Sequence, residues 1–244
     1  MTALLEVEAV GKVFGGLVAV SDVSFTLAQG EIVGLMGANG AGKTTLFNLI
    51  SGAMAPTSGR VRFEGCAIEG RRPDEICRRG IGRTFQIVKP FPGMTVAENV
   101  AVGVLYGARR RTPSAREVAA ETDAVLAEMG LSAMRDKLAG ELTLAGRKRL
   151  EVARALASRP KLLMLDEVMA GLTPIEAAGA LDMLRQVHET RGTTMLVVEH
   201  NLRAMMQLCQ RIVVMHHGEK IGEGPPEVVI RDEKVIQAYL GAQA

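Results

Sequence analysis

Apolar and polar positions run through this chain in two rhythms. Leu4 to Val10 (LLEVEAV) alternates partially, and Val23 to Leu27 (VSFTL) alternates cleanly; both predict strands. Between them Gly11 to Gly16, containing Phe14, predicts a turn. Ile32 to Met36 and Val61 to Phe63 have strand length, and Gly80 to Gln86 predicts a strand with Gln86 at its exit. Lys161 to Leu165 (KLLML) and Met195 to Val198 (MLVV) are continuous apolar runs, the pattern of buried parallel strands, and Ile212 to Met215 is a further strand. The helical rhythm enters where Val118, Thr122, Val125, Leu126 and Met129 fall on one face, with Gly130 as a stop. Helix starts are signalled by Thr95-x-x-Glu98, by Ser114-x-x-Glu117, and by Thr173, Pro174 and Glu176 at cap, first and third positions. Thr143 opens another helix, Asn201 to Gln210 reads as helical, and a last helix runs towards Tyr239.

Strands alternating with helices predict an α/β fold, a mostly parallel sheet covered on both faces, with a small antiparallel β element at the start. From Ile87 to Leu142 no strong strand occurs, so this stretch predicts a helical insertion. Pro90 and Pro92 forbid a regular helix after Gln86, yet Ile87, Val88, Phe91 and Met94 are apolar. Such a segment is packed as a loop or offered to a partner.

Composition changes the picture little. The 244 residues are 48% hydrophobic and 23% charged, which is globular and sufficient for a core. A net charge of +2 selects no acidic partner. No apolar run approaches the ~18 residues of a membrane span, and the first residues lack a signal-peptide pattern, so a soluble, cytoplasmic chain is expected. Cys66, Cys77 and Cys209 show no metal spacing and are expected to be buried free thiols. Residues 107–116 (GARRRTPSAR) form a basic loop, expected to be a solvated connection.

Candidate chemistry changes it decisively. After the strand ending at Met36 comes Gly37-Ala38-Asn39-Gly40-Ala41-Gly42-Lys43-Thr44, then Thr45, Leu46 and Phe47 opening a helix. This is the G-x-x-x-x-G-K-[ST] phosphate loop in its strand-to-helix context. Its glycines let backbone N–H groups turn inward on an anion, and the helix end adds its dipole. Lys43 can reach the outer phosphates and the Thr44 hydroxyl can hold Mg²⁺. A nucleoside triphosphate is the expected ligand. Around it, residues 1–86 and 143–244 are expected to form a nucleotide-binding core, with 87–142 the inserted helical subdomain of one domain.

Ligands of parallel sheets collect beyond the carboxyl ends of strands. Asp166-Glu167, His200 and Gln86 stand at three such predicted ends. An aspartate there can hold Mg²⁺ through water, a glutamate can deprotonate an attacking water, and a histidine can contact a γ-phosphate.

With these motifs in place the chain resembles the ATP-binding subunits of ABC transporters over essentially its full length. The likeness rests on the phosphate loop, Gln86, VARAL at Val152 to Leu156, LLMLDE at Leu162 to Glu167 and VEHN at Val198 to Asn201. FGGLVAVSDVSF, GIGRTFQIVKPFPGMTVAENV and HGEKIGEGPPEV are similar to the branched-chain amino acid importer branch, to the longer of its two ATPase subunits. The resemblance implies that Phe14 stacks on adenine, that Lys43, Thr44 and Thr45 hold phosphates and metal, and that Gln86 senses Mg²⁺ and the lytic water. It implies Glu167 as general base and His200 as γ-phosphate contact. It implies two ATPase subunits closing head to tail, membrane permease subunits, an extracytoplasmic substrate-binding protein, and a place on the cytoplasmic face of the membrane. The segment after Gln86 would lie near the permease's coupling helix. Lipopolysaccharide export is an alternative within the family. A non-transport ATPase acting on nucleic acid or ribosomes is the other, and the modest net charge and the lack of a second ATPase domain argue against it.

The chain departs from the family's Leu-Ser-Gly-Gly-Gln signature, having Leu142-Thr143-Leu144-Ala145-Gly146. Thr143 keeps a hydroxyl and an N-cap, Ala145 replaces a glycine, and Gly146 lacks the amide side chain. Val168 replaces the usual proline after Glu167, and Thr173 the usual Asp or Asn. These changes affect what the chain lends across a dimer, so the site using this helix is expected to hydrolyse ATP more weakly than its twin.

Overall fold

A computed structural model describes residues 3–86, 88–109 and 111–240; of the positions discussed above, Ile87 and Arg110 lie outside them. In chain order the elements are β1 (Ala3–Phe14), β2 (Leu17–Ala28), β3 (Ile32–Met36), α1 (Lys43–Ile50), β4 (Ser58–Phe63), β5 (Cys66–Ala67) and α2 (Pro73–Arg79). Then come β6 (Ile81–Arg83), α3 (Val96–Tyr106), α4 (Ala115–Glu128), α5 (Leu144–Ala157), β7 (Leu162–Asp166) and α6 (Pro174–Arg191). The chain closes with β8 (Thr194–Val198), α7 (Leu202–Leu208), β9 (Arg211–His216), β10 (Glu219–Gly224), α8 (Pro226–Val229) and α9 (Glu233–Leu240). These fall into two compact units, residues 1–76 with 194–244, and residues 77–193.

The first unit carries two sheets. One is antiparallel, in the order β2-β1-β4-β5. The other runs β10-β9-β3-β8; β9, β3 and β8 are parallel and β10 is antiparallel to β9. All five residues of β3 and of β8 are buried, as their unbroken apolar runs require. Gly34 lets α7 pack hard on β3, since a Cβ there would meet Met205 Cε at 2.3 Å. The predicted turn at Gly11 to Gly16 is corrected: β1 runs on to Phe14, and only Gly15 and Gly16 turn. The strand reaches that far because bulges re-pair it with β2, putting Phe14 opposite Leu17. α2, β10 and α8 carry no clear sequence rhythm and were not expected. The cysteine expectation is also corrected. Cys209 is buried and burial pushes its thiol up to about 12, but Cys66 is exposed and Cys77 half-buried.

The second unit holds the parallel pair β6 and β7, with Arg83 opposite Met164, and the helices α3 to α6. The capping boxes at Thr95, Ser114 and Thr173 form as read, with the cap hydroxyl and the third-position glutamate bonding reciprocally. Thr122, Val125, Leu126 and Met129 are buried together as the α4 pattern predicts. No strand lies between 88 and 142 among the described residues. In the basic loop, Arg111 pairs with Glu117 in the open, while Arg109 is largely buried and paired with Glu121.

Candidate functional site

In the first unit β3 delivers the chain to the phosphate loop. Gly40 (φ 80°) and Gly42 (φ 97°) take left-handed backbone, and a Cβ on Gly42 would lie 2.5 Å from the Ala19 carbonyl oxygen. The loop is braced by Ala41 N–H on the Ala38 carbonyl at 3.1 Å and Gly218 N–H on the Ala41 carbonyl at 3.1 Å. α1 starts at Lys43 after Gly42, and its N-cap position makes no side-chain hydrogen bond to the first amides. The buried Lys43 ammonium donates to the Gly37 and Ala38 carbonyls at 2.7 and 2.9 Å. Those bonds hold the positive charge inside the loop, where an anion would find it. Asn39 and Thr44 are exposed and Thr45 half-buried. A cavity of about 370 Å³ borders the loop, walled by Ala38, Asn39, Ala41, His216 and His217. The β3–β8 register sets Leu35 against Val198, so Glu199 and His200 leave at the same edge as the loop. Glu199 is buried and His200 exposed. Phe14 ends β1 with 45% of its surface open, and the Lys12 ammonium lies 5.2 Å from its ring.

In the second unit the β6–β7 pair brings together three of the expected residues. Asp166 ends β7; its N–H donates to the Thr84 hydroxyl at 3.0 Å and its carboxylate faces Arg83 at 3.3 Å. The two side chains keep only 9% and 1% of their surface. Burial pulls the Arg83 guanidinium down while Asp166 pushes it back up, with a net lowering. Glu167 has φ 51°, a left-handed angle costing of order 1–3 kcal/mol for a non-glycine residue. Its carboxylate accepts from Gln86 Nε2 at 3.1 Å and its carbonyl from Lys148 Nζ at 2.7 Å. Gln86 itself stands three residues past the end of β6, not at the strand exit. Thr143 caps α5, its hydroxyl accepting the Gly146 N–H at 3.2 Å. Ala145 and Gly146 are half-buried, and Leu144 between cap and alanine is 45% exposed.

Donor chemistry fits Mg²⁺. Among the described residues no three His, Cys, Asp or Glu side chains are clustered to hold a metal by themselves. The Thr44 hydroxyl in the first unit and the Asp166 carboxylate in the second are each hard oxygen donors of the kind Mg²⁺ takes beside phosphates and water.

Comparison with known proteins decides the family. A family model described as "ABC transporter" matches residues 20–170. The chain belongs to the ABC transporter family. A second model, "Branched-chain amino acid ATP-binding cassette transporter", matches residues 219–244 of the cassette. The cassette is 36% identical to the high-affinity branched-chain amino acid transport ATP-binding protein BraF of Pseudomonas aeruginosa, over 98% of each chain. It is 37% identical to LivG of Escherichia coli, again over 98% of each. The lipopolysaccharide export ATP-binding protein LptB of Haemophilus influenzae is 36% identical over 99% of the cassette and 98% of its own length. Among solved structures, the ADP conformation of MJ1267, an ATP-binding cassette of an ABC transporter, matches with TM-score 0.89 and 32% identity over 99% of the cassette and all of that chain. The dimeric cassette MJ0796 matches with TM-score 0.82 and 25% identity, over 91% of this cassette and 98% of that one.

Two residues escaped the sequence reading. Arg83 was legible in principle, because an arginine ending a short buried strand must meet an anion. Lys148 sits in the run Arg147-Lys148-Arg149, which looks like a solvated face and gives no sign that its middle member is buried.

Proposed function

We propose that this cassette binds ATP with Mg²⁺ and hydrolyses it to energise import of branched-chain or related amino acids through membrane permease subunits. The observation that carries the reading is similarity to branched-chain transport cassettes over 98% of the chain, including a C-terminal segment with its own branched-chain family model. In this reading the loop amides of Gly37 to Gly42 and the α1 N-terminus hold the phosphates, and Phe14 stacks on the base. Binding shifts the Lys43 ammonium from its two carbonyls to the outer phosphate oxygens, with Thr44 and Thr45 beside it. Thr44, Asp166 and Gln86 are the residues that would hold Mg²⁺, which would supply charge neutralisation on the phosphates. Glu167, kept in its left-handed turn by the Lys148 bond, takes the proton of the attacking water, with Gln86 orienting that water. His200 contacts the γ-phosphate. Thr143, Ala145 and Gly146 serve a second ATPase subunit's nucleotide in a head-to-tail dimer, a reading supported by the similarity to the cassette MJ0796, which is dimeric. An extracytoplasmic binding protein delivers the substrate. We read residues 87–142 as the helical subdomain that meets the permease, which the half-exposed Phe91 supports.

Glu167→Gln tests the mechanism: hydrolysis by the assembled transporter falls by about 10²–10⁴-fold and ATP-bound dimers accumulate. Wild-type turnover in that variant refutes the role. Uptake of labelled amino acids in a deletion strain tests the substrate. The similarity to LptB favours lipopolysaccharide export as the second reading. Co-purification separates them, through an amino acid permease or an export complex.

A further inference from the structure

The second unit contains a cavity of about 240 Å³ whose lining shares Ala145 and Lys148 with the chemistry above and is otherwise separate from it. Its walls are α5, α6 and the segment that follows Glu167. Val152, Val168, Leu172 and Met183 make it apolar, while Lys148 and Arg149 line it from α5 and Glu176 from α6. Glu176 is committed locally, its Oε2 accepting the Thr173 N–H and hydroxyl at 2.9 and 2.8 Å. Lys148 is committed to the Glu167 carbonyl. Arg149 is different. It is half-buried, and among the described residues it makes no hydrogen bond or ion pair. Its two terminal nitrogens lie 3.3 Å and 3.9 Å from where a Cβ would stand on Gly130 and on Gly179. A guanidinium against an apolar wall, with its donor fork unclaimed, matches the geometry of a carboxylate.

We propose that this cavity binds a small carboxylate with a compact aliphatic body, gripped by Arg149, and that its occupancy slows ATP hydrolysis. At about 30 Å³ per water the volume equals roughly eight waters, which sets the ligand at about four to six carbons. Lys148 adds a second positive charge, partly offset by Glu151, which does not line the cavity; with Glu176 locally satisfied, Arg149 makes an anion favoured over a cation. An empty apolar cavity lets its walls close, and a filled one holds α5 and α6 apart. The link to hydrolysis rests on the role proposed for Glu167, whose carbonyl Lys148 holds and whose neighbour Val168 is in the wall.

Calorimetric titration of the purified chain tests it, with 4-methyl-2-oxopentanoate as the probe, leucine to distinguish an amino acid from its oxo acid, and isoamylamine as the cationic control. The oxo acid binds in the range of about 0.1–10 mM and the amine does not. Gly179→Leu fills the cavity from a helix position where a Cβ meets nothing closer than 3.9 Å, and abolishes the heat while ATP binding is kept. Arg149→Gln weakens binding by about tenfold or more. In the assembled transporter the oxo acid lowers the ATPase rate by about twofold or more, and Gly179→Leu does not respond. No heat from either acid, equal heat from the amine, or binding unaffected by Gly179→Leu overturns the site. Binding without a rate change overturns its link to hydrolysis. A fully active Glu167→Gln enzyme that still binds the acid would fail the catalytic reading and leave the site standing.

Discussion

Arg83 and Asp166 make the costliest polar contact at the candidate site, since both side chains are nearly out of water and neither charge could stay there alone. Arg83→Met should therefore destabilise the fold by about 3–5 kcal/mol, read as a lower urea midpoint, because Asp166 keeps its place but loses its cation. A change within about 0.5 kcal/mol would mean that Asp166 is satisfied without Arg83. Nothing in GIGRTFQ names that partner, because the pair is 83 positions apart in sequence and is made by strand pairing. The phosphate loop is the opposite case. Every group it needs lies within eight consecutive residues, so its glycine pattern was readable directly.

Elements are joined here by close approaches and by partly buried ion pairs. In α3, a Cβ on Gly103 would stand 2.2 Å from the Arg154 carbonyl oxygen and 2.9 Å from Ala157 Cβ in α5. Backbone cannot yield as a side-chain tip can, so Gly103→Ala should cost about 1–3 kcal/mol by pushing the two helices apart, measurable as a lowered melting temperature. Glu31, at the entrance to β3, holds Arg211 of β9 through two bonds of 2.8 and 2.9 Å. Burial raises the Glu31 carboxyl, but Arg211 and the Ala28 N–H outweigh it and the net shift is downward. The sign follows: a carboxylate lowered in the folded state stabilises fully above its ordinary value of about 4.3 and loses that stabilisation as pH falls through the lower folded value. Glu31→Gln should be less stable than wild type at about pH 7, and the gap should narrow as pH falls below the ordinary carboxylate value of about 4.3, in paired urea titrations. A gap that persists in acid rules out the ion pair as its source. The capping boxes were visible because they join residues three apart, whereas the Gly103 contact has no local signature beyond a glycine inside a helix pattern.

At the level of the whole molecule the signature helix is the open question. Thr143 keeps the cap, but Leu144, Ala145 and Gly146 all depart from Leu-Ser-Gly-Gly-Gln. Restoring two of them, Ala145→Gly with Gly146→Gln, should raise the ATPase rate of the assembled transporter by about tenfold, the worth of one charge-assisted hydrogen bond to phosphate. An unchanged rate would sink the idea that the altered helix weakens its site. A side chain at 146 is tight but feasible, because its Cβ would meet Leu142 Cβ at 3.2 Å and the Thr143 hydroxyl at 3.5 Å.

The alternation of apolar strands and capped helices, the phosphate loop and the family likeness could all be read from local order, since each depends on residues a few positions apart. Strand order, the extension of β1 to Phe14, the grip of Lys148 on Glu167 and the cavity beside Arg149 could not. They arise where distant segments pack, and packing depends on which faces meet in three dimensions, information that no short window of sequence holds.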